Sequence, residues 1–129
     1  MKSQDNRPLS PHLQIYRLPF AAILSITHRA TGVILSMAAL SMIWVLAAAA
    51  SGSESYSSIY VHFSTWYGQI FLIGVTLSLY MHLCNGIRHL FWDAGLGFEL
   101  ETAAISAKAA IAGAVVLTSA TWLIALNVG

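Results

Sequence analysis

Two histidines share one face of a long apolar stretch of the chain. His82 and His89 are seven residues apart, so an α-helix would bring both imidazoles to the same side. Gly86 lies on that side between them, and Asp93 follows four residues after His89. Ionisable side chains inside an apolar span point to function, because exposing them to hydrocarbon is costly. The spacing therefore predicts a binding site along this face.

Haem fits this face better than zinc does. Seven residues of helix extend about 10 Å, which is too far for both histidines to bind one small ion. Haem needs one imidazole on iron, and Gly86 would let a flat macrocycle approach the backbone, with Arg88 and His89 near its propionates. Because the sequence has no C-x-x-C-H motif, a b-type haem is indicated. The alternative is a structural anchor without haem, in which His82 and His89 only bridge helices.

The second axial ligand of such a haem is expected from another chain. Taking Arg29 and Arg88 as markers of one membrane edge, His82 lies six residues inward, roughly 9 Å deep. The same depth on the first apolar stretch falls near Leu35 and Ser36, which offer no ligand, and His28 is expected to be too shallow. If the haem is six-coordinate, this chain therefore provides one ligand and another chain must provide the second.

A second group of polar residues lies at the start of the first apolar stretch. Ser25 and Arg29 are four residues apart and share a helical face at the membrane edge. A hydroxyl and a fixed cation at that level could hold a quinone carbonyl and stabilise negative charge on its oxygen. The alternative is that Arg29 only anchors the helix end at the interface and that Ser25 only bonds to the backbone.

Three long stretches without charged residues indicate the helices that must position these side chains. Hydrophobic residues make up 57% of the 129 residues and charged residues 9%, whereas a soluble domain has about 25% charged residues. Three uncharged stretches can each supply the roughly 20 residues that cross a bilayer, and backbone groups in lipid must pair within a helix. The predicted fold is an all-α membrane protein, one anchor domain over residues 1–129, with a loop at Ser55–Ser64. Its three transmembrane helices are predicted at about residues 22–50, 64–90 and 106–127.

All six basic residues fall at one end of this predicted bundle. They are Lys2, Arg7, Arg17, Arg29, Arg88 and Lys108. Because basic residues favour the cytoplasmic side, the segment 1–20 is predicted to be cytoplasmic and the C-terminus periplasmic, in a multi-pass protein of the bacterial inner membrane. A net charge of +1 gives no basic footprint for nucleic acid, so no such partner is expected.

Three stretches resemble motifs of the cytochrome b subunits of succinate dehydrogenase, respiratory complex II. The first is Arg7–Tyr16, which reads R-P-L-S-P-H-L-Q-I-Y. The second is Ser25–Gly32, which matches S-x-x-H-R-x-[ST]-G, and the third is His82–His89, which matches H-x-x-x-G-x-R-H. The order of the motifs, their spacing and the three-helix plan all agree with this family.

The resemblance implies a membrane anchor that works only within a complex. The implied partners are a flavoprotein subunit that oxidises succinate, an iron–sulfur subunit that carries electrons, and a second membrane anchor subunit. The resemblance also implies haem b, with His82 as one axial ligand and the partner anchor supplying the other. It places His28, Arg29 and His89 around the haem propionates, and Ser25 and Arg29 in the ubiquinone site. A closer alternative is the anchor of a fumarate reductase, which works in the opposite direction.

Overall fold

The computed structural model describes residues 17–128, and over that range it contains four helices and no strand. They are α1 (Phe20–Ser51), α2 (Ser53–Phe63), α3 (Trp66–Asp93) and α4 (Leu100–Val128). The all-α prediction is confirmed for this range, and α1, α3 and α4 are long and apolar enough to cross a membrane. The first motif, Arg7–Tyr16, and most of the predicted N-terminal segment 1–20 lie outside the described residues.

The three long helices exceed the predicted spans. α1 has 32 residues, about 48 Å at 1.5 Å per residue, whereas the hydrocarbon core of a bilayer is about 30 Å thick. The largest difference is at α4, which begins at Leu100 rather than near residue 106. The residues that precede the apolar part of α4 include Glu101 and several alanines, which are good helix formers. The helix therefore continues past the apolar segment by which the span was predicted.

The predicted loop at Ser55–Ser64 is wrong, because Ser53–Phe63 forms the helix α2. Gly52 separates α1 from α2, and its φ of +119° is one that glycine adopts readily. Glu54 lies in the first turn of α2, where its charge favours the helix dipole. Serine hydroxyls donate to carbonyls of the same helix, as Ser57 does to Ser53 at 2.7 Å. A serine-rich composition thus predicted a loop where the hydroxyls bond within a helix.

α3 lies between α1 and α4 and holds the bundle together. Near one end, the Asn85 amide donates to the Leu24 carbonyl of α1, and the Arg88 guanidinium donates to Ser106 of α4. Farther along, the hydroxyls of Tyr80 and Thr121 lie 2.8 Å apart and join α3 to α4. His82, which precedes Asn85, contacts Thr31, which follows Leu24. The order of the contacts thus shows that α3 runs antiparallel to both neighbours. The start of α1, the end of α3 and the start of α4 therefore meet at one end, and α2 lies at the other.

The bundle buries few apolar side chains of its own. Among the described residues the buried apolar side chains are Leu24, Ile59, Ala107 and Ala114. Large apolar side chains on the outer faces stay exposed within the single chain, such as Leu40 at 63% and Leu123 at 62%. These faces suit lipid or the side chains of partner subunits.

Candidate functional site

Three histidines form a stack between α1 and α3. The ring of His28 on α1 lies face to face with His82 on α3, with 4.0 Å between ring centroids and 11° between the planes. His28 also lies 5.0 Å from His89, at 15°. The seven-residue spacing of the two α3 histidines places both on the side that faces α1. We call His28, His82 and His89 the histidine cluster.

The cluster corrects the depth that the sequence assigned to His28. The sequence predicts that His28 is too shallow and that the level of His82 on α1 falls near Leu35 and Ser36. Instead, His82 contacts α1 at His28 and at Thr31. The prediction took Arg88 as a marker of the aqueous edge, but Arg88 is buried in the bundle with only 6% of its surface exposed. The position of Arg88 therefore gives no measure of how deep His82 lies in the membrane.

The ring of His82 is held in one orientation by α1. Its Nδ1 lies 3.2 Å from the His28 carbonyl oxygen and 3.2 Å from the Thr31 hydroxyl. A backbone carbonyl can only accept, so Nδ1 carries the hydrogen and donates. In the neutral imidazole, Nε2 then keeps its lone pair, and it has no hydrogen-bond partner within residues 17–128. Histidines that bind metals are commonly oriented in this way by a bond at the other ring nitrogen.

Gly32 forms part of the surface against which the His82 ring lies. A Cβ atom at Gly32 would lie 3.2 Å from Cε1 of His82 and 3.7 Å from its Nδ1. The shorter separation is closer than an ordinary carbon contact of about 3.5–4.0 Å. The close approach of the His82 ring therefore explains why the motif Ser25–Gly32 ends in a glycine. Gly86 faces α1, where a Cβ would lie 3.9 Å from Cε1 of His28, and its role beside a macrocycle stays a prediction.

The histidine cluster also carries a polar atom without a partner. Nδ1 of His28 is buried and has no hydrogen bond to any other described residue. Such an atom costs free energy unless a bound group or another chain satisfies it. By contrast, Nδ1 of His89 donates to the Asn85 carbonyl at 2.7 Å, which fixes the ring of His89. The cluster thus offers an oriented imidazole nitrogen and an unsatisfied polar atom beside it, and this donor set would fit a haem.

Arg88 does not belong to the histidine face. Its Nε donates to the Ser106 hydroxyl at 3.0 Å, and one terminal nitrogen donates to the Ala103 carbonyl at 3.1 Å. Its other terminal nitrogen lies 3.4 Å from the Asn85 side-chain oxygen, and the guanidinium carbon lies 4.0 Å above the Trp92 ring. The expectation that Arg88 would serve haem propionates at the aqueous edge is wrong, because these contacts hold it against α4.

Ser25 and Arg29 lie one turn apart near the start of α1. Arg29 is exposed and has no ion pair with any described residue. Ser25 is half-buried, and its hydroxyl has no hydrogen-bond partner within residues 17–128. Most hydroxyls in α1 behave differently, as Thr27 does by donating to the Ile23 carbonyl at 2.9 Å. The first turns of α1 thus make a hydroxyl and a fixed cation available beside the histidine cluster.

The fold and the cluster define a helical membrane protein whose imidazoles lie between two of three candidate spans. The family described as "Succinate dehydrogenase/Fumarate reductase transmembrane subunit" matches residues 3–121, and the chain belongs to this family. The match extends over all three motifs, so the resemblance predicted from them is confirmed.

Individual relatives agree with this family over nearly their whole length. The succinate dehydrogenase cytochrome b556 subunit of Paracoccus denitrificans is 45% identical over 122 residues, which cover 95% of this chain and 94% of that protein. The subunit of the same name from Rickettsia felis is 38% identical over 120 residues, covering 92% and 93%. The cytochrome b560 subunit of Reclinomonas americana is 35% identical over 124 residues, covering 92% and 86%. These relatives are membrane subunits of an enzyme complex.

Proposed function

We propose that this chain binds haem b through His82 and lines a quinone-reduction site through Ser25 and Arg29. It would do so as one of two membrane anchors of a bacterial succinate dehydrogenase, beside an iron–sulfur and a flavoprotein subunit. The observation that carries the proposal is the orientation of His82, whose Nδ1 is held by α1 at 3.2 Å while Nε2 keeps its lone pair. When bound, the haem would supply a one-electron redox centre.

The stacking within the cluster favours a second axial ligand from the partner anchor. The ring of His28 is stacked face to face on the ring of His82, with 4.0 Å between centroids, so His28 lies directly against His82 rather than across a bound group from it. That separation leaves no room for a macrocycle between the two rings. His89 follows His82 on the same side of α3 and is also stacked on His28, with 5.0 Å between centroids. Neither neighbouring histidine is therefore placed to complete the coordination.

The remaining donors near the cluster suit the haem propionates. Nδ1 of His28 has no partner among the described residues, and Arg29 follows it directly with an exposed guanidinium. His89 lies on the same side of α3, toward the helix end. Because its Nδ1 hydrogen is donated to the Asn85 carbonyl, its Nε2 would donate to a carboxylate in the imidazolium form, which has two donors. Carboxylates accept hydrogen bonds from such donors, and bonds to charged groups are the stronger ones. We assign His28, Arg29 and His89 to the propionates.

The quinone assignment depends on two side chains with different roles. The Ser25 hydroxyl, which has no partner among the described residues, would donate to a quinone carbonyl and orient it. Arg29 would place a permanent charge near the same oxygen, which favours the negative charge that builds up during reduction. Reduction to quinol takes up two electrons and two protons. The electrons would arrive from the iron–sulfur subunit at this end of the bundle.

The ends of the helices favour a cytoplasmic position for this site. Arg29 and Lys108 lie at the end where α1 starts, α3 ends and α4 starts. The region Ser53–Phe63 at the other end contains no Lys or Arg. By the positive-inside rule, the N-terminus is cytoplasmic and the C-terminus periplasmic in the bacterial inner membrane.

The haem proposal is tested by removing the axial imidazole from the purified complex. His82→Ala should abolish or strongly change the b-type spectrum measured as reduced minus oxidised. His62→Ala is the matched control, because His62 is exposed at the other end of the bundle and, among the described residues, its side chain hydrogen-bonds to Tyr67 alone. An anchor without haem would give the same spectrum in both variants and in the wild type, and that result would refute the proposal.

The quinone proposal is tested by comparing two electron acceptors. Ser25→Ala should cost about 1–3 kcal/mol of transition-state stabilisation if the quinone oxygen is left unpaired. Arg29→Lys keeps the charge but loses the planar fork, so quinone reduction should fall. Succinate oxidation with an artificial acceptor at the soluble subunits should survive in both. If assembly, haem and quinone reduction all stay normal in both variants, these residues have no quinone role.

The family description also names fumarate reductase, which gives a second candidate direction. Rates of succinate oxidation with ubiquinone and of fumarate reduction with quinol, measured on one preparation, separate the two. We expect the succinate rate to be the higher, because the relatives at 45% and 38% identity are named succinate dehydrogenase subunits.

A further inference from the structure

Asn85 connects the helix of the axial histidine to the helix of the quinone residues. Its side chain is only 2% exposed, although it lies in a chain that buries little. The Asn85 amide nitrogen donates to the Leu24 carbonyl oxygen on α1 at 3.2 Å. Leu24 is 3% exposed and immediately precedes Ser25. The bond therefore reaches the turn of α1 that carries the proposed quinone ligand.

Arg88 determines which way the Asn85 amide points. A guanidinium has no acceptor, so the Asn85 oxygen must face the Arg88 nitrogen that lies 3.4 Å away. The amide nitrogen is then left to donate to Leu24. Arg88 itself is fixed by the Ser106 hydroxyl and the Ala103 carbonyl of α4. A continuous set of hydrogen bonds thus runs from α4 through α3 to α1.

The turn that Asn85 contacts also contains His28. In an α-helix the carbonyl of residue i accepts from the amide of residue i+4, so the Leu24 carbonyl closes the turn that ends at His28. Apolar packing between two helices tolerates small axial shifts, whereas a hydrogen bond is lost when its atoms separate or tilt. One directional bond from α3 therefore holds Ser25 and His28 in register with His82 and His89.

We propose that Asn85 is a positioning residue that fixes the Leu24–His28 turn of α1 against the histidine cluster and thereby places Ser25 for quinone. This inference rests on the proposed quinone function of Ser25. Asn85 does not touch quinone or iron. Its effect passes through the backbone of Leu24, while Arg88 keeps the amide in the required orientation.

Asn85→Asp tests this role in the intact complex. The change keeps the shape and the oxygen that faces Arg88, but it replaces the donor to Leu24 with a second acceptor. We expect the KM for quinone to rise about fivefold, the factor that corresponds to one hydrogen bond. The haem content and the succinate rate with an artificial acceptor should stay at wild-type values. Asn127→Asp is the matched control, because Asn127 also donates to a helix carbonyl, Leu123, but is exposed at the far end of α4.

A double variant separates positioning from a general loss of stability. If Asn85 acts through the placement of Ser25, the effects of Asn85→Asp and Ser25→Ala on quinone KM are not additive, whereas independent sites would add. Additive effects would overturn the inference. The inference would also be overturned if the KM for quinone were raised in Ser25→Ala but had its wild-type value in Asn85→Asp. That outcome would leave the proposed quinone function of Ser25 intact. If Ser25→Ala alone has a wild-type KM, the proposed quinone function fails instead, and the inference fails with it.

Asn85→Gln keeps the test decisive if the aspartate variant does not accumulate. The longer amide retains both hydrogen-bonding groups but displaces the turn by one methylene, so quinone KM should again rise while haem is retained. If neither variant accumulates in the membrane while Asn127→Asp does, Asn85 serves folding only and the positioning role is rejected.

Discussion

Replacing Gly32 with alanine should weaken haem binding without removing any polar group. The added Cβ would lie 3.2 Å from Cε1 of His82, and ordinary carbon contacts are about 3.5–4.0 Å. The imidazole must therefore retreat by a few tenths of an ångström. Because Nε2 is on the same rigid ring, the retreat moves the proposed iron ligand as well.

The surroundings of His82 resist that retreat. Its Nδ1 is bound to the His28 carbonyl and the Thr31 hydroxyl, each at 3.2 Å, and its ring lies 4.0 Å from the ring of His28. Overpacking in such a site costs about 1–3 kcal/mol, and alanine returns up to about 1 kcal/mol through its better helix propensity. We expect a net loss of about 1 kcal/mol, which corresponds to roughly a fivefold weaker retention of haem.

The measurement is the rate and extent of haem transfer from purified complex to an excess of a haem-binding acceptor protein, followed by the b-type spectrum. Gly74→Ala is the matched control, because Gly74 lies in α3 and a Cβ added there would have no atom within 4 Å. Gly74→Ala should retain haem as the wild type does. Equal retention in the two glycine variants would show that Gly32 does not constrain the axial imidazole.

Three other contacts and positions lend themselves to direct tests. Thr31→Val removes the hydroxyl 3.2 Å from Nδ1 of His82, the proposed axial ligand, so the haem midpoint potential should shift in a redox titration by the equivalent of about 1 kcal/mol. Thr27→Val, whose hydroxyl donates to the Ile23 carbonyl within α1, should leave that potential unchanged. Arg88→Lys loses the fork that joins α3 to α4, and thermal denaturation of the complex should show a loss of about 1.5–3 kcal/mol. Reporter fusions at Ser55 and Gly129 should both indicate the periplasmic side, and cytoplasmic activity at Gly129 would contradict the three-span topology.

The long helices could be predicted from sequence because lipid leaves few alternatives. A stretch without charge and with about 20 residues must satisfy its backbone within a helix, and α1, α3 and α4 each contain one. α2 could not be predicted in this way, since Ser53–Phe63 has the composition of a loop. Two local features favour the helix, an acidic residue in its first turn and hydroxyls that donate to carbonyls of the same helix. The burial of Ile59 against the rest of the bundle adds a tertiary contact.

The histidine cluster could be predicted only in part. Spacing along one helix placed His82 and His89 together, but no pattern within α3 shows which residue of α1 they meet. That depends on how far α1 slides relative to α3, which is set here by contacts between residues far apart in the chain, such as His82 with Thr31. The prediction aligns the two helices by Arg29 and Arg88 instead, and because Arg88 is buried, that alignment sets His28 too far from His82.

By contrast, the helical spacing of the sequence is enough to predict that Arg88 faces away from the histidines. At 3.6 residues per turn, Gly86 and His89 lie about 40° and 20° from the direction of His82, whereas Arg88, six residues after His82, points about 120° away. The third motif therefore covers two helix interfaces. Its histidines and glycine face α1, and its arginine faces α4, where it meets Ser106 and the Ala103 carbonyl. A buried arginine that lies so far around the helix from the imidazoles serves the packing of the anchor, and through Asn85 it also reaches the turn of α1 that carries Ser25.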